Sequence, residues 1–334
     1  MTSRMSVLLL ATAAALVAAC STYSGGDMPT YQPNTALPGA GASDLSRQTY
    51  ATTAEVLAAV AAAQHIQELP RKALYQLKAL AREHGPDGPE NCFDKRRVTA
   101  PVSNAQFGEC AYGDPNGTTQ VVLYGDSRAA MWAATLERVA AISGWQVRVF
   151  AKNGCPVADL QFLDNERRTP DVDCDTFHRT AVEEIRKMHP QLVVTASNAG
   201  HRLADGEMPT PEQWQDGWSS AYRKLSELGT KLATLGAIPT WADNDAQCVA
   251  AHIDDVQACS TERQNAVTPY FDAEKAAATA AGAAYLDTVP WVCAEKCQPV
   301  IADIVVYYNP FNFTTQYAEY LSGAVAEALR PAMA

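Results

Sequence analysis

The chain has 334 residues, a hydrophobic content of 47% and a formal net charge of −11. That is enough apolar material for one large core or two modest ones, and it excludes a chain disordered throughout. The acidic balance argues against nucleic acid as a partner and against charge-driven docking on anionic lipid.

Residues 1–20 open with Arg4, carry an apolar run over 6–18 and close with Leu16-Val17-Ala18-Ala19-Cys20. A positive start, a short apolar centre and a small-residue end read as a secretory signal peptide. Cys20 in that setting resembles the lipobox cysteine of bacterial lipoproteins, which becomes the lipid-carrying end of the mature protein. The alternatives are an uncleaved anchor or an ordinary signal peptide. Each places the domain outside the cytoplasm, and the lipobox adds attachment to the cell membrane through a lipid. Residues 21–50 are rich in Ser, Thr, Gly, Pro and Ala without an apolar period, as in a flexible tether. Residues 51–90 form a helical segment, broken into two helices at Pro70, with His65 and His84 as surface residues.

Setting Cys20 aside leaves eight cysteines, an even set in an exported chain, which reads as disulfides. Sequence alone does not fix their connectivity. Neighbours in order lie 18, 19, 11 and 4 residues apart, which favours Cys92–Cys110, Cys155–Cys174, Cys248–Cys259 and Cys293–Cys297. Cys293 and Cys297 lack a second Cys or His pair at zinc-site spacing, so no metal is expected. Nothing points to a cofactor, and no later apolar stretch reaches membrane-spanning length.

From residue 121 the pattern becomes strand, helix, strand, helix. Strands are predicted over 121–124, 146–150 and 192–196, a weaker one over 238–241 and a short one over 284–287. Helices are predicted over 129–143, 176–187, 214–235, 268–283 and 314–329. This alternation specifies a parallel sheet covered by helices on both faces, with the functional loops gathered at the carboxyl ends of the strands. The sharpest junction is Val121-Val122-Leu123-Tyr124-Gly125-Asp126-Ser127, where a buried strand runs through a tight turn into a helix. A hydroxyl held there can attack an acyl carbon, and N–H groups at the helix start can stabilise the oxyanion. The plainer alternative is that Asp126 and Ser127 only cap the helix.

That stretch, with Arg128-Ala129-Ala130-Met131-Trp132, then Lys152-Asn153-Gly154-Cys155-Pro156, then Tyr307-Tyr308-Asn309-Pro310-Phe311-Asn312-Phe313-Thr314, resembles the ordered landmarks of SGNH hydrolases. The nearest resemblance is to the extracytoplasmic SGNH domains fused to bacterial acyltransferase-3 proteins, which also carry a cysteine pair spaced like Cys293 and Cys297. It covers roughly residues 90–332, and the domain itself is read as residues 91–334. It implies a three-layer α/β/α, flavodoxin-like fold. Ser127 then matches the nucleophile, Gly154 the second oxyanion donor, and Asn198 the side-chain donor, although the Gly-x-Asn-Asp form around Asn198 is missing.

The chain departs from that pattern at three positions. The family's Asp and His, three residues apart, are replaced by Asn309 and Asn312, and the histidine after Gly-Asp-Ser by Arg128. An amide cannot take a proton from serine near neutral pH, so the contribution of a base, roughly 10²–10⁴-fold, should be lost. His201, oriented by Asp243 or Asp245, is the alternative base, ahead of His178, His189 and His252. Arg128 can instead pair with a carboxylate or phosphate of a bound ligand. Three readings follow. The first is a cell-envelope protein descended from O-acyl esterases and acyltransferases, impaired in catalysis, which binds an envelope glycan or acyl lipid beside a membrane acyltransferase. The second is an active esterase or O-acyltransferase using Ser127. The third is a structural or interaction lipoprotein, favoured if Phe311, Phe313 or Trp132 fills the crevice.

Overall fold

The computed structural model describes residues 50–80, 93–94, 99–101 and 110–333. Cys20, the expected tether, His84 and Cys92 lie outside the described residues. Two helices come first, α1 (Thr53–Ala63) and α2 (Arg71–Leu80), and α2 starts directly after Pro70. Thr52 and Glu55 close a capping box on α1, the Thr52 N–H donating to the Glu55 carboxylate at 2.8 Å. Val56, Val60 and Ala63 recur on one face of α1 and are buried in the same apolar cluster as the central sheet. Each valine so buried contributes about 1.5–3 kcal/mol.

The sheet is built from β1 (Phe93–Asp94), β2 (Ala111–Gly113), β3 (Thr119–Gly125), β4 (Trp145–Lys152), β5 (Leu192–Ala196), β6 (Lys231–Leu235) and β7 (Ala284–Leu286). Its order is β1-β4-β3-β5-β6-β7, all parallel, with β2 added antiparallel to β4. β3 is central, paired with β4 on one side and β5 on the other. Its side chains alternate between two cores. Val121 and Leu123 pack with α3 (Ser127–Ser143), whereas Val122 and Tyr124 pack with α4 (Val172–Met188) and α5 (Pro211–Ser226). An apolar run buried on both faces is what a central parallel strand requires. The fold is therefore the three-layer α/β/α arrangement, with α1 added to the layer that holds α3.

The predicted helix over 214–235 divides into two elements. α5 stops at Ser226, and Gly229 takes a left-handed φ of 72°. The chain then enters the sheet as β6, paired between β5 and β7 with Leu232, Ala233, Thr234 and Leu235 buried. The Leu-Ala-Thr-Leu run suits a helix face or a strand equally, and burial between two neighbours decides it. The expected strand over 238–241 is correspondingly a loop, since β6 already fills that place in the sheet.

After α6 (Pro269–Ala280), a hairpin of β8 (Tyr307–Asn309) and β9 (Asn312–Phe313) leads to α7 (Thr315–Tyr320) and α8 (Ser322–Met333), so the predicted closing helix is two. The hairpin docks on α3: the Phe313 N–H meets Met131 Sδ at 2.9 Å, and the Phe313 ring packs edge-on against Trp132. Disulfides join Cys155–Cys174, Cys248–Cys259 and Cys293–Cys297. Cys110 is also disulfide-bonded. Among the described residues no helix is long and apolar enough to cross a membrane.

Candidate functional site

The carboxyl ends of β3, β4, β5 and β6 form one rim, and the candidate residues gather there. Gly125 ends β3 so close to β5 that a Cβ would lie 2.0 Å from the Ala196 carbonyl oxygen, which requires glycine. Asp126 follows as the N-cap of α3 and is fully buried. One carboxylate oxygen accepts the Arg128 N–H at 2.8 Å, and the other accepts the Asn198 N–H at 2.9 Å. Asp126 thus does cap the helix, and it also ties the end of β5 to the end of β3. Ser127, half-buried, is the first residue of α3, and its hydroxyl has no hydrogen-bond partner among the described residues.

His201 is brought to the same place. Its Nε2 lies 3.8 Å from the second Asp126 carboxylate oxygen, is buried, and makes no hydrogen bond among the described residues. Its Cε1 stands 3.8 Å from where a Cβ on Gly154 would be. Gly154 itself sits at φ 72°, a turn that favours glycine. The carboxylate facing His201 is Asp126, in place of the expected Asp243 or Asp245; Asp245 caps the short helix Ala246–Ala251 by accepting two of its N–H groups. Burial pushes the His201 imidazole below its ordinary value, against the upward pull of Asp126. Burial likewise pushes the Asp126 carboxyl up, opposed by His201 and by the two N–H donors.

Asn198 contributes its backbone N–H to Asp126, while its side-chain oxygen turns to the Gly200 N–H at 3.3 Å. His178 and His252 spend ring nitrogens on the carbonyls of Pro156 and Cys248, at 2.8 and 3.0 Å. Each also borders a cysteine pair, but in both clusters the sulfurs are joined as disulfides. His65 and His189 are exposed.

Asn309 and Asn312 close the hairpin turn. The Asn309 side-chain oxygen accepts the N–H groups of Phe311 and Asn312 at 2.9 Å each, and the Asn312 amide donates to it at 3.3 Å. Trp132 and Phe313 are fully buried in the core, and Phe311 projects 53% exposed.

Two buried ionisable groups complete the rim. Arg128, on the first turn of α3, is 4% exposed, and burial lowers its guanidinium to about 10. Glu274 of α6 is fully buried, accepts the Ala237 N–H beyond the end of β6 at 3.1 Å, and is pushed up to about 8 by burial. Sequence reasoning missed Glu274. The signal was there: it lies between Phe271 and Ala278 on the apolar stripe of its helix, where a carboxylate needs a reason.

A parallel sheet with Gly-Asp-Ser at the end of its central strand, and a second glycine turn at the end of the next, defines an SGNH-type domain. The chain belongs to the family described as the SGNH domain fused to AT3 domains, whose model matches residues 91–327. In fold it is similar to the periplasmic domain of a Salmonella ser. Paratyphi A lipopolysaccharide acetyltransferase, at 13% identity and a TM-score of 0.55, covering 77% of this chain and 95% of that one. A protein from Slackia heliotrinireducens assigned to the SGNH hydrolases also matches, at 16% identity and a TM-score of 0.39, over 64% of this chain and 100% of that one. No curated protein matches the chain.

Proposed function

We propose that this chain is an exported, lipid-anchored SGNH protein of the cell envelope, related to O-acyl esterases and acyltransferases, that binds an acylated glycan or acyl lipid with catalysis impaired or lost. It works beside a membrane acyltransferase. The observation that carries this reading is the Asn309–Asn312 pair. Both amides are hydrogen-bonded within their hairpin at the positions the resemblance assigns to Asp and His, and neither can take a proton from serine. The Ser127 hydroxyl, which has no hydrogen-bond partner among the described residues, agrees with a nucleophile that no base engages.

Export is supported by the disulfides and by the extracytoplasmic setting of SGNH domains fused to acyltransferase-3 proteins. The lipid anchor rests on Leu16–Cys20, and the partner on the family and on the fold shared with an acetyltransferase periplasmic domain. The burial of Trp132 and Phe313 in the core weighs against a crevice plugged by them, and so against the structural reading.

A second reading keeps catalysis. His201 stands beside Gly154 and faces Asp126 with an Nε2 that has no hydrogen-bond partner among the described residues, so it is the histidine available for a serine–histidine–aspartate relay. The test is mass spectrometry of the purified full-length chain after exposure to an active-serine phosphonate and to p-nitrophenyl acetate. The first reading expects no adduct on Ser127, with retention of acetylated glycans or acyl lipids in binding assays. An adduct that is absent from Ser127→Ala and from His201→Gln would establish the second.

A further inference from the structure

We propose that Arg128 grips an anionic substituent, a carboxylate or phosphate, on a glycan unit bound beside Ser127. This rests on reading the surroundings of Ser127 as the ligand site. The starting point is an imbalance. Arg128 is 4% exposed, and its Nε and Nη1 are fully buried with no hydrogen-bond partner among the described residues. A guanidinium out of water normally finds a carboxylate or carbonyls, because its charge is otherwise uncompensated. Its place on the first turn of α3 makes matters worse, since the helix N-terminus already carries partial positive charge.

The surrounding acids do not close the account. Asp126 acts on Arg128 electrostatically but gives one oxygen to Arg128's own backbone N–H and the other to Asn198, with no hydrogen bond to the guanidinium. Glu274 interacts with Arg128 electrostatically, yet its Oε2 has no hydrogen-bond partner, and burial leaves it largely protonated at neutral pH. His201 is kept neutral by burial, and Tyr307 donates its hydroxyl to Pro239.

Asp126, His201, Glu274 and Tyr307, which come from four different segments, each feel the Arg128 charge. Two further buried acceptors lack hydrogen-bond partners: Asn312 Oδ1 in the hairpin docked on α3, and Asn244 Oδ1, whose amide nitrogen bonds the same hairpin at Pro310. One unsatisfied cation with neutral acceptors nearby suits a ligand that carries one anionic group and several hydroxyls. An acidic sugar has that chemistry.

The test is calorimetric titration of the purified full-length chain with methyl glucuronide, methyl glucoside and inorganic phosphate. It is paired with the Nε–Hε NMR signal of Arg128, assigned by comparison with Arg128→Lys. The expected result is glucuronide binding about tenfold or more tighter than glucoside, as one charge-assisted pair provides. The Arg128 signal should move on titration, and Arg128→Gln should abolish the preference. If that variant does not fold, the Arg128 signal of the wild type decides by itself.

Phosphate binding as tightly as glucuronide would keep the anion site and overturn the glycan as its source. An unmoved signal, or a preference that survives Arg128→Gln, would overturn the proposal and leave buried water as the partner. Binding of a neutral acetylated glucoside with no gain from an anion would overturn it too, while sparing the crevice reading. Anion binding at Arg128 with no affinity for any sugar or acyl ester would fail the crevice reading instead.

Discussion

His201 Nε2 stands 3.8 Å from the carboxylate of Asp126, close enough for an ion pair if the ring were charged and too far for a hydrogen bond while it is neutral. Burial outweighs the carboxylate and holds the imidazole below its ordinary value of 6.5, so at neutral pH the ring is neutral. The unfolded chain takes up a proton near pH 6.5. The folded chain resists it until lower pH, so His201 lowers folding stability as the pH falls below about 6.5. Thermal melts at pH 7.5 and 5.5 should show a larger acid loss for the wild type than for His201→Gln. Equal losses would mean that the ring is solvated in solution.

Glu274 has the opposite sign. Its carboxyl is held near 8 against an ordinary 4.5, so the folded state keeps a proton that the unfolded state releases. Its contribution is most favourable below about pH 4.5 and is lost as the pH rises to about 8. Asp126, Arg128, Tyr222 and Tyr285 are the titratable neighbours that act on it or feel it. Glu274→Gln keeps the acceptor for the Ala237 N–H and should be the more stable protein at pH 8, by an amount that shrinks toward pH 5. Urea midpoints at the two pH values measure it.

The second helix is tied to the domain by Gln76. Its amide nitrogen donates to the Val305 carbonyl and to Thr314 Oγ1 at 3.1 Å each, while its oxygen accepts the Val305 N–H at 2.7 Å. Gln76→Leu leaves the buried Val305 N–H without this bond, while the Val305 carbonyl keeps the Thr314 hydroxyl. A loss of about 1–3 kcal/mol in urea unfolding is expected, as for one unsatisfied buried group. A change below about 0.5 kcal/mol, within the range of ordinary surface substitutions, would show that the Gln76 bonds do not hold the segment.

The Cys155–Cys174 bridge closes a 19-residue loop that begins beside Gly154. Replacing both cysteines by serine should destabilise the fold by about 3 kcal/mol, from the chain entropy released in the unfolded state. Cys293–Cys297 closes only four residues and should contribute less. Equal losses for the two bridges in guanidinium unfolding would count against this ranking.

The strand-turn-helix at Val121–Ser127 was legible because a run buried on both faces, a glycine and a helix start each have a local signature. So were the strands over 146–150 and 192–196, the break at Pro70 and, from the order of the cysteines, three bridges. The Asn309 and Asn312 substitutions needed only the residue types. What the sequence left open depended on neighbours distant along the chain. The segment 231–235 became a strand because β5 and β7 leave a slot between them, and nothing within five residues says so. Asp126 became the partner of His201, in place of Asp243 or Asp245, because Gly125 allows β3 and β5 to approach closely and the loop after β5 then folds back over the turn. The burial of Arg128 and Glu274 at one rim joins a helix start to the face of another helix 146 residues later. Propensity and periodicity are sums over adjacent residues, whereas burial and electrostatic partnership are set by which segments meet; those meetings exist only in the folded chain.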